Sequence, residues 1–190
     1  ASGDWVAFLE SDDCLKPDNL SKKFEISKKY PDVKLIFNKV EFLWDKNRSD
    51  YNKKKFEATQ KKLSKMKFPR NMFYDFYLQN IILTFSCVMV EKNAIKNTNF
   101  NSPTEVFLDW WLWIHLAYKN DFYYIDQELT VWNLHSRSYI SKSKKPILSQ
   151  ICSYMDVYKN ERKDFRILLF LLFSTPILLC TKVKKLIFAR

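Results

Sequence analysis

At 190 residues, with 47% hydrophobic and 17% aromatic side chains, the chain has the material for a sizeable core and is not an intrinsically disordered segment. Thirty-two basic against 21 acidic residues give a formal charge of +11, which favours anionic partners: a membrane surface, a phosphate-bearing molecule or nucleic acid. Gly3 is the single glycine, against a usual share of about 7%, so glycine-rich phosphate loops of the Walker and dinucleotide-binding kinds are excluded.

The four cysteines, Cys14, Cys87, Cys152 and Cys180, are scattered without a CxxC pair, which predicts reduced thiols rather than zinc ligands or disulfides. The chain opens on Ala1, close to its most informative stretch, so the expected context is the later part of a longer protein.

That stretch is Trp5 to Leu20. Five apolar residues, Trp5 to Leu9, predict a strand buried on both faces, and it runs into the carboxylates Glu10, Asp12 and Asp13. Sheets of this kind place ligand sites at the carboxyl ends of their strands. Three acids crowded there repel one another, and a divalent metal on oxygen ligands would relieve them. The missing glycine excludes an EF-hand.

Residues 18–30 then predict an amphipathic helix with Leu20, Phe24 and either Ile26 or Tyr30 inward, stopped by Pro31. Lys34 to Trp44 predicts a strand. Residues 52–67 hold seven lysines and one glutamate, and read as a solvated, mobile insertion (about 46–67) or as a basic loop that touches acidic headgroups or covers the acceptor site. Phe68 to Asn80 predicts a helix after Pro69, and Ile81 to Val90 a strand.

Thr104 to Asn120 predicts a helix capped by Thr104. Its interior carboxylate, Asp109, is set among Phe107, Leu108, Trp110, Trp111, Leu112 and Trp113. Burial there raises a carboxyl pKa toward the range useful for proton transfer; a helix cap or a lysine partner is the plainer role. His115, on the same helix, reads as a packed or surface histidine. Phe122 to Ile125 and Leu129 to Trp132 read as two short strands, and 147–163 as a helix.

The tail, Phe165 to Arg190, carries an uncharged run from Ile167 to Cys180. That run is 14 residues long and contains Pro176, too short for the ~20 residues of a spanning helix. With Lys182, Lys184 and Lys185 beside Leu186, Ile187 and Phe188, it reads either as an in-plane membrane-surface helix or as a helix docked on the core or a neighbouring subunit.

Ala1 to Asp13 together with Lys16-Pro17-Asp18-Asn19-Leu20 resembles the middle of a family 2 glycosyltransferase of the GT-A fold. That family's acidic "DxD" signature usually reads Leu-Asp-Ser-Asp-Asp; here Glu10 stands for the first Asp. The resemblance implies an α/β, Rossmann-like GT-A fold, present in part. Residues 1–145 would form the later part of the transferase domain and 146–190 a helical C-terminal extension, with most base and ribose binding in the missing earlier part. It implies that Asp12 ligates Mn²⁺ or Mg²⁺, with Glu10 and Asp13 in the vicinity of the nucleotide sugar. Family members commonly carry Glu-Asp before an aromatic helix, and that Asp is the catalytic base; Leu108-Asp109 followed by Trp110-Trp111-Leu112-Trp113 matches with Leu in place of Glu.

Val131 to Ser138 looks like the family's Tyr-Arg-x-His-x-x-Ser segment, with Trp132-Asn133 for Tyr-Arg. It implies His135 as a metal or diphosphate contact, and Arg137 is a neighbouring candidate for a phosphate. The implied activity is inverting transfer of a sugar from a nucleotide-sugar donor, a UDP-sugar foremost, to a glycan or lipid-linked acceptor hydroxyl, in cell-surface glycan or lipooligosaccharide synthesis. The basic surface and apolar tail fit a cytoplasmic place, peripheral to the inner face of the cell membrane, and no nucleic acid partner is expected. The alternative is a non-catalytic transferase remnant that binds anionic membrane or nucleic acid through its lysines.

Overall fold

The computed structural model describes residues 1–44, 50–77, 79–96, 98, 102, 108–134, 146–160 and 163–187. Among them, six strands form one mixed sheet. They are β1 (Trp5–Ala7), β2 (Cys14–Leu15), β3 (Val33–Trp44), β4 (Arg70–Asn71), β5 (Val88–Glu91) and β6 (Asp121–Leu134). The order is β1-β5-β3-β6-β2, with β4 added to the start of β6. The long parallel pair β3 and β6 is the spine, and β5 and β1 flank β3 by antiparallel pairing.

The apolar run that opens the chain becomes a three-residue strand at the sheet's edge, not a strand buried on both faces. Trp5 and Val6 are half-buried, Ala7 is exposed and Leu9 is 58% exposed. Among the described residues β1 has one neighbouring strand, β5, so its composition is that of an inner strand in an edge position.

Helix α1 (Asn19–Lys29) also turns the other way round from its apolar pattern. Leu20 and Phe24 are each 50% exposed, whereas Asn19, Lys23 and Ser27 are buried. The anchor is polar: Asn19 Nδ2 donates to Leu129 O (2.7 Å) and Thr130 Oγ1 (3.0 Å) on β6. Those bonds fix the face through Asn19, Lys23 and Ser27 against the sheet, and one helical turn cannot present Leu20 and Phe24 there too. Ile26 and Tyr30 do reach the sheet, joining Val33, Ile36, Met89, Ile125 and Leu129 in a small cluster.

The opposite face carries the main core. The lysine-rich segment is a helix here, α2 (Asp50–Leu63), rather than a bare solvated loop. Phe56, Thr59, Gln60 and Leu63 are buried at helical spacing while the lysines point to water. Gln60 reaches both the N–H and the C=O of Val40 (2.6 and 3.0 Å), capping β3 where β5 has ended. Phe56 stacks with Phe42, Trp44 and Trp132.

After a cis Phe68–Pro69 bond, β4 and a 3₁₀ turn (Phe73–Tyr77) replace the expected helix. Of the run from Ile81 to Val90 only the end is strand; Phe85–Cys87 is a 3₁₀ turn. The two short strands expected over 122–125 and 129–132 are one strand, β6, whose register against β3 shifts near Asn38 and Lys39. Polar Asp126, Gln127 and Glu128 sit at that irregularity, which is why the apolar pattern looks interrupted.

Helix α4 (Leu108–Lys119) packs on the main core through Trp110 to Ile114, Leu116 and Ala117, all buried. His115 packs against Trp111, ring centroids 4.5 Å apart. Helix α5 (Pro146–Asn160) covers α4, and α6 (Phe165–Ile187) covers α5. Tyr154, Val157, Ile167 and Leu171 are buried in the same cluster as the sheet residues, so the helical extension shares the main core. Pro176 lies inside α6. No helix of the described residues is long and apolar enough to cross a membrane.

Candidate active site

Beyond β1, Phe8 N–H still bonds Val88 O (3.2 Å), and Glu10 N–H bonds the Ser86 hydroxyl (2.9 Å). The chain then turns tightly, Asp13 N–H returning to Glu10 O at 3.2 Å, and re-enters the sheet as β2 beside Val131 and Thr130. The acidic residues therefore occupy a turn between two strands of one sheet, at the carboxyl end of β1.

Each carboxylate has a different environment. Asp12 is exposed at the turn. Asp13 is buried, accepting from Asn133 N–H (3.0 Å) and from the Thr84 hydroxyl (2.9 Å). Glu10 accepts from the same Thr84 hydroxyl at 2.5 Å. Thr84 owns one hydroxyl proton and two carboxylate oxygens lie within its reach, so it can satisfy only one of them at a time. The Glu10 pKa lies above the usual carboxylate value, chiefly through burial. The Thr84 bond opposes the rise, and the charges of Asp13 and Asp12 add to it.

Asp109 lies in the first turn of α4 and is partly buried. Asn80 Nδ2 donates to its Oδ2 at 2.6 Å, while Asn80 Oδ1 accepts from Ile82 N–H (3.3 Å) and so fixes the amide's direction. Burial pushes the Asp109 carboxyl up to about 6. The Trp110 N–H and Asn80 pull it down, and the charge of Glu10 pushes it further up. That last interaction places Asp109 in the electrostatic reach of the acidic turn, although 99 positions separate Glu10 from Asp109 in sequence.

One segment links the two groups. Asn80 holds Asp109 and Thr84, four residues on, holds Glu10 and Asp13. At the far end of the segment, Cys87 Sγ bonds Thr84 O, and Lys23 lies within electrostatic reach of Cys87. Lys23 is fully buried, its Nζ has no hydrogen-bond partner among the described residues, and burial lowers its pKa to about 8.

At the start of α4, a mainly apolar cleft of about 480 Å³ is lined by Val6, Phe8, Phe85, Leu108, Trp111 and Leu112, with Lys92 and Lys96 at it as well. Among the described residues no three His, Cys, Asp or Glu side chains converge as a ready-made metal cage. The donors at the turn are all carboxylate oxygens, the set that suits Mg²⁺ or Mn²⁺. Such ions are usually held by one or two carboxylates plus substrate phosphates, and the exposed Asp12 beside crowded Glu10 and Asp13 fits that pattern.

Of the residues named from sequence, Glu10, Asp12, Asp13 and Asp109 lie at one end of the sheet; His135, Arg137 and the Thr104 cap lie outside the described residues. Sequence reasoning missed Thr84, Ser86, Asn80 and the Asn133 N–H. The available signal was Thr84 and Ser86 standing as polar residues inside the apolar run Ile81 to Val90.

No known protein family's profile matches the chain. An uncharacterized glycosyltransferase of Methanocaldococcus jannaschii is 24% identical over 164 residues, covering 85% of this chain and 53% of its own length. The chain thus spans about half the length of that curated relative. Among solved structures, S. aureus TarS (residues 1–349, in complex with UDP-GlcNAc) superposes with a TM-score of 0.55 at 12% identity, over 83% of this chain and 44% of that one. The mixed α/β sheet is therefore of a glycosyltransferase-like fold, consistent with part of a GT-A architecture.

Proposed function

We propose that this chain carries the catalytic part of a metal-dependent, inverting glycosyltransferase of the GT-A, family 2 kind. The observation that carries the reading is the meeting of the acidic turn with a buried carboxylate of raised pKa, bridged by the segment from Asn80 to Thr84. The 24%-identical glycosyltransferase and the TarS fold support it. The donor in this reading is a nucleotide sugar, a UDP-sugar foremost, because the TarS structure holds UDP-GlcNAc.

In this mechanism Asp109 accepts the proton of an acceptor hydroxyl as that oxygen forms a bond to the anomeric carbon. The bond from that carbon to the diphosphate oxygen breaks on the opposite face, and the nucleoside diphosphate leaves with the electron pair. A pKa near 6 leaves Asp109 mostly ionised at neutral pH yet more basic than an ordinary Asp. Asn80, bonded to Oδ2, orients the carboxylate toward its acceptor. Asp12 would hold the metal, with Glu10 and Asp13 shaping the turn, and His135 is the further candidate ligand. The bound ion supplies charge neutralisation on the leaving diphosphate. The acceptor proposed is a cell-surface glycan or its lipid-linked precursor.

The test is a mass-spectrometric transfer screen of the natural full-length protein with Mn²⁺ and a panel of UDP-sugars. Transfer by the wild type, lost in Asp109→Asn with donor binding retained, is the expected result. Transfer at wild-type rate by Asp109→Asn removes Asp109 from the role.

A further inference from the structure

The last helix carries a feature that sugar transfer does not use. Along α6, Phe165, Leu169, Leu172 and Phe173 are 64, 42, 65 and 69% exposed. Their spacing of four, seven and eight residues puts them on one side of the helix. The opposite side is committed to the core: Ile167 and Leu171 are buried, Phe170 packs on Tyr74, Tyr77 and Tyr154, and Thr175 Oγ1 lies 2.6 Å from Tyr77 OH. The stripe is thus presented outward by a helix that cannot roll to hide it. Exposed contiguous apolar surface of this kind marks an interaction site.

The sequence of the same helix continues the pattern. Val183 and Ile187 stand 18 residues beyond Phe165 and Leu169 in the sequence. Lys182, Lys184 and Lys185 are interleaved with them. From Phe165 to Arg190 there is no acidic residue.

We propose that α6 is an in-plane docking surface for an anionic phospholipid bilayer, with the stripe from Phe165 to Phe173 entering the headgroup–acyl boundary and the positive charge of the segment favouring a surface of lipid phosphates. A one-sided stripe suits a helix lying in the interface, where a spanning helix would be apolar all round. Charge decides the occupant. A second copy of this chain would bring the same lysine cluster and a second +11 charge against the first, whereas an anionic bilayer supplies the complement. Through α5, whose Asp156 accepts from Trp111 Nε1 (3.0 Å), the docked helix is braced against α4, the element bearing Asp109. The proposal stands independently of the sugar-transfer reading.

The test is co-sedimentation of the full chain with vesicles of phosphatidylcholine alone and of phosphatidylcholine with phosphatidylglycerol. Binding to the anionic vesicles should exceed binding to the neutral ones at least tenfold, and should fall with added salt. Leu172→Glu with Phe173→Glu should lower the partition at least tenfold and leave the thermal midpoint unchanged, since both side chains face water; Leu172→Ser with Phe173→Ser provides the milder pair. Failure of the wild type to bind anionic vesicles overturns the proposal, as does unchanged binding by both double variants. So does a wild-type dimer in light scattering that the substitutions dissociate, which would assign the stripe to self-association.

Discussion

Replacing Asp109 by Asn should cost activity and return stability, and the return should depend on pH. In the fold the carboxyl group titrates at about 6, against 3.8 for an ordinary Asp. The folded state therefore binds the proton more tightly than the unfolded chain does. Its contribution to stability is complete below 3.8 and is lost as the pH rises through 6. At about 1.4 kcal/mol per pH unit, the displacement amounts to about 3 kcal/mol in all, of which about 2 kcal/mol is lost between pH 4.5 and pH 8.

Asn cannot ionise, so the stability of Asp109→Asn relative to wild type should rise by about 2 kcal/mol over that interval. For a chain of this size the relative thermal midpoint should climb by about 4–8 °C. Removing the charge that faces Glu10 acts in the same direction. Calorimetry of both proteins at several pH values reads the difference, and kcat/KM of the wild type should rise with pH through about 6. A difference in midpoint that stays flat from pH 4.5 to 8 would refute the claim that Asp109 is held as a destabilised, elevated base.

Other substitutions test the supporting residues. Thr84→Val keeps the shape but removes the hydroxyl shared by Glu10 and Asp13, and Mn²⁺ affinity measured by calorimetry should fall by about 10–100-fold. Asn80→Ala removes a bond to the charged form of Asp109, so the acidic limb of the pH–rate profile should move up by about 1–2 pH units; a purely structural role would lower the rate without moving the limb. Lys23→Met should stabilise the protein at pH 7 by about 3 kcal/mol. The Lys23 pKa is lowered from 10.5 to about 8, so the stability tied to its neutral form is present above 10.5 and lost as pH falls through 8, and the gain should shrink in urea titrations near pH 10.

The acidic turn was legible because charge is expensive beside an apolar run, whatever the fold around it. Asp109 was legible for the same reason, as a single carboxylate in an aromatic helix. Elsewhere the pattern misled, because polar atoms decided the packing. Leu20 and Phe24 look like the inner face of α1, yet Asn19 has the bonds to β6 that orient the helix. In α2 seven lysines mask a modest apolar stripe, and the contact that seats the helix is an amide, Gln60, on the backbone of Val40. Trp5 to Leu9 reads as an inner strand because composition reports only what a strand can bury; its neighbours in space are set by chain far away in sequence. Thr84 and Asn80 were hidden for a related reason. Neither residue is chemically reactive, and their value lies in partners 71, 74 and 29 positions away.

The costly electrostatics of this molecule are concentrated along eight residues, from Asn80 to Cys87. Asn80 meets the elevated Asp109, Thr84 meets the crowded Glu10 and Asp13, and Cys87 lies within electrostatic reach of the buried Lys23. Each arrangement opposes stability at neutral pH, so packing must hold the segment in place. Phe85 stacks edge-on to Phe8 and tilts against Trp113, and Cys87 and Val88 are fully buried at the start of β5. The aromatic residues Phe8, Phe85 and Trp113 thus brace the segment that carries the partners of Asp109, Glu10 and Asp13. A fold with nothing to hold at this point would gain stability by replacing these ionisable groups with apolar ones. Their concentration where the acidic turn meets α4, rather than spread through the core, is what a working site would require.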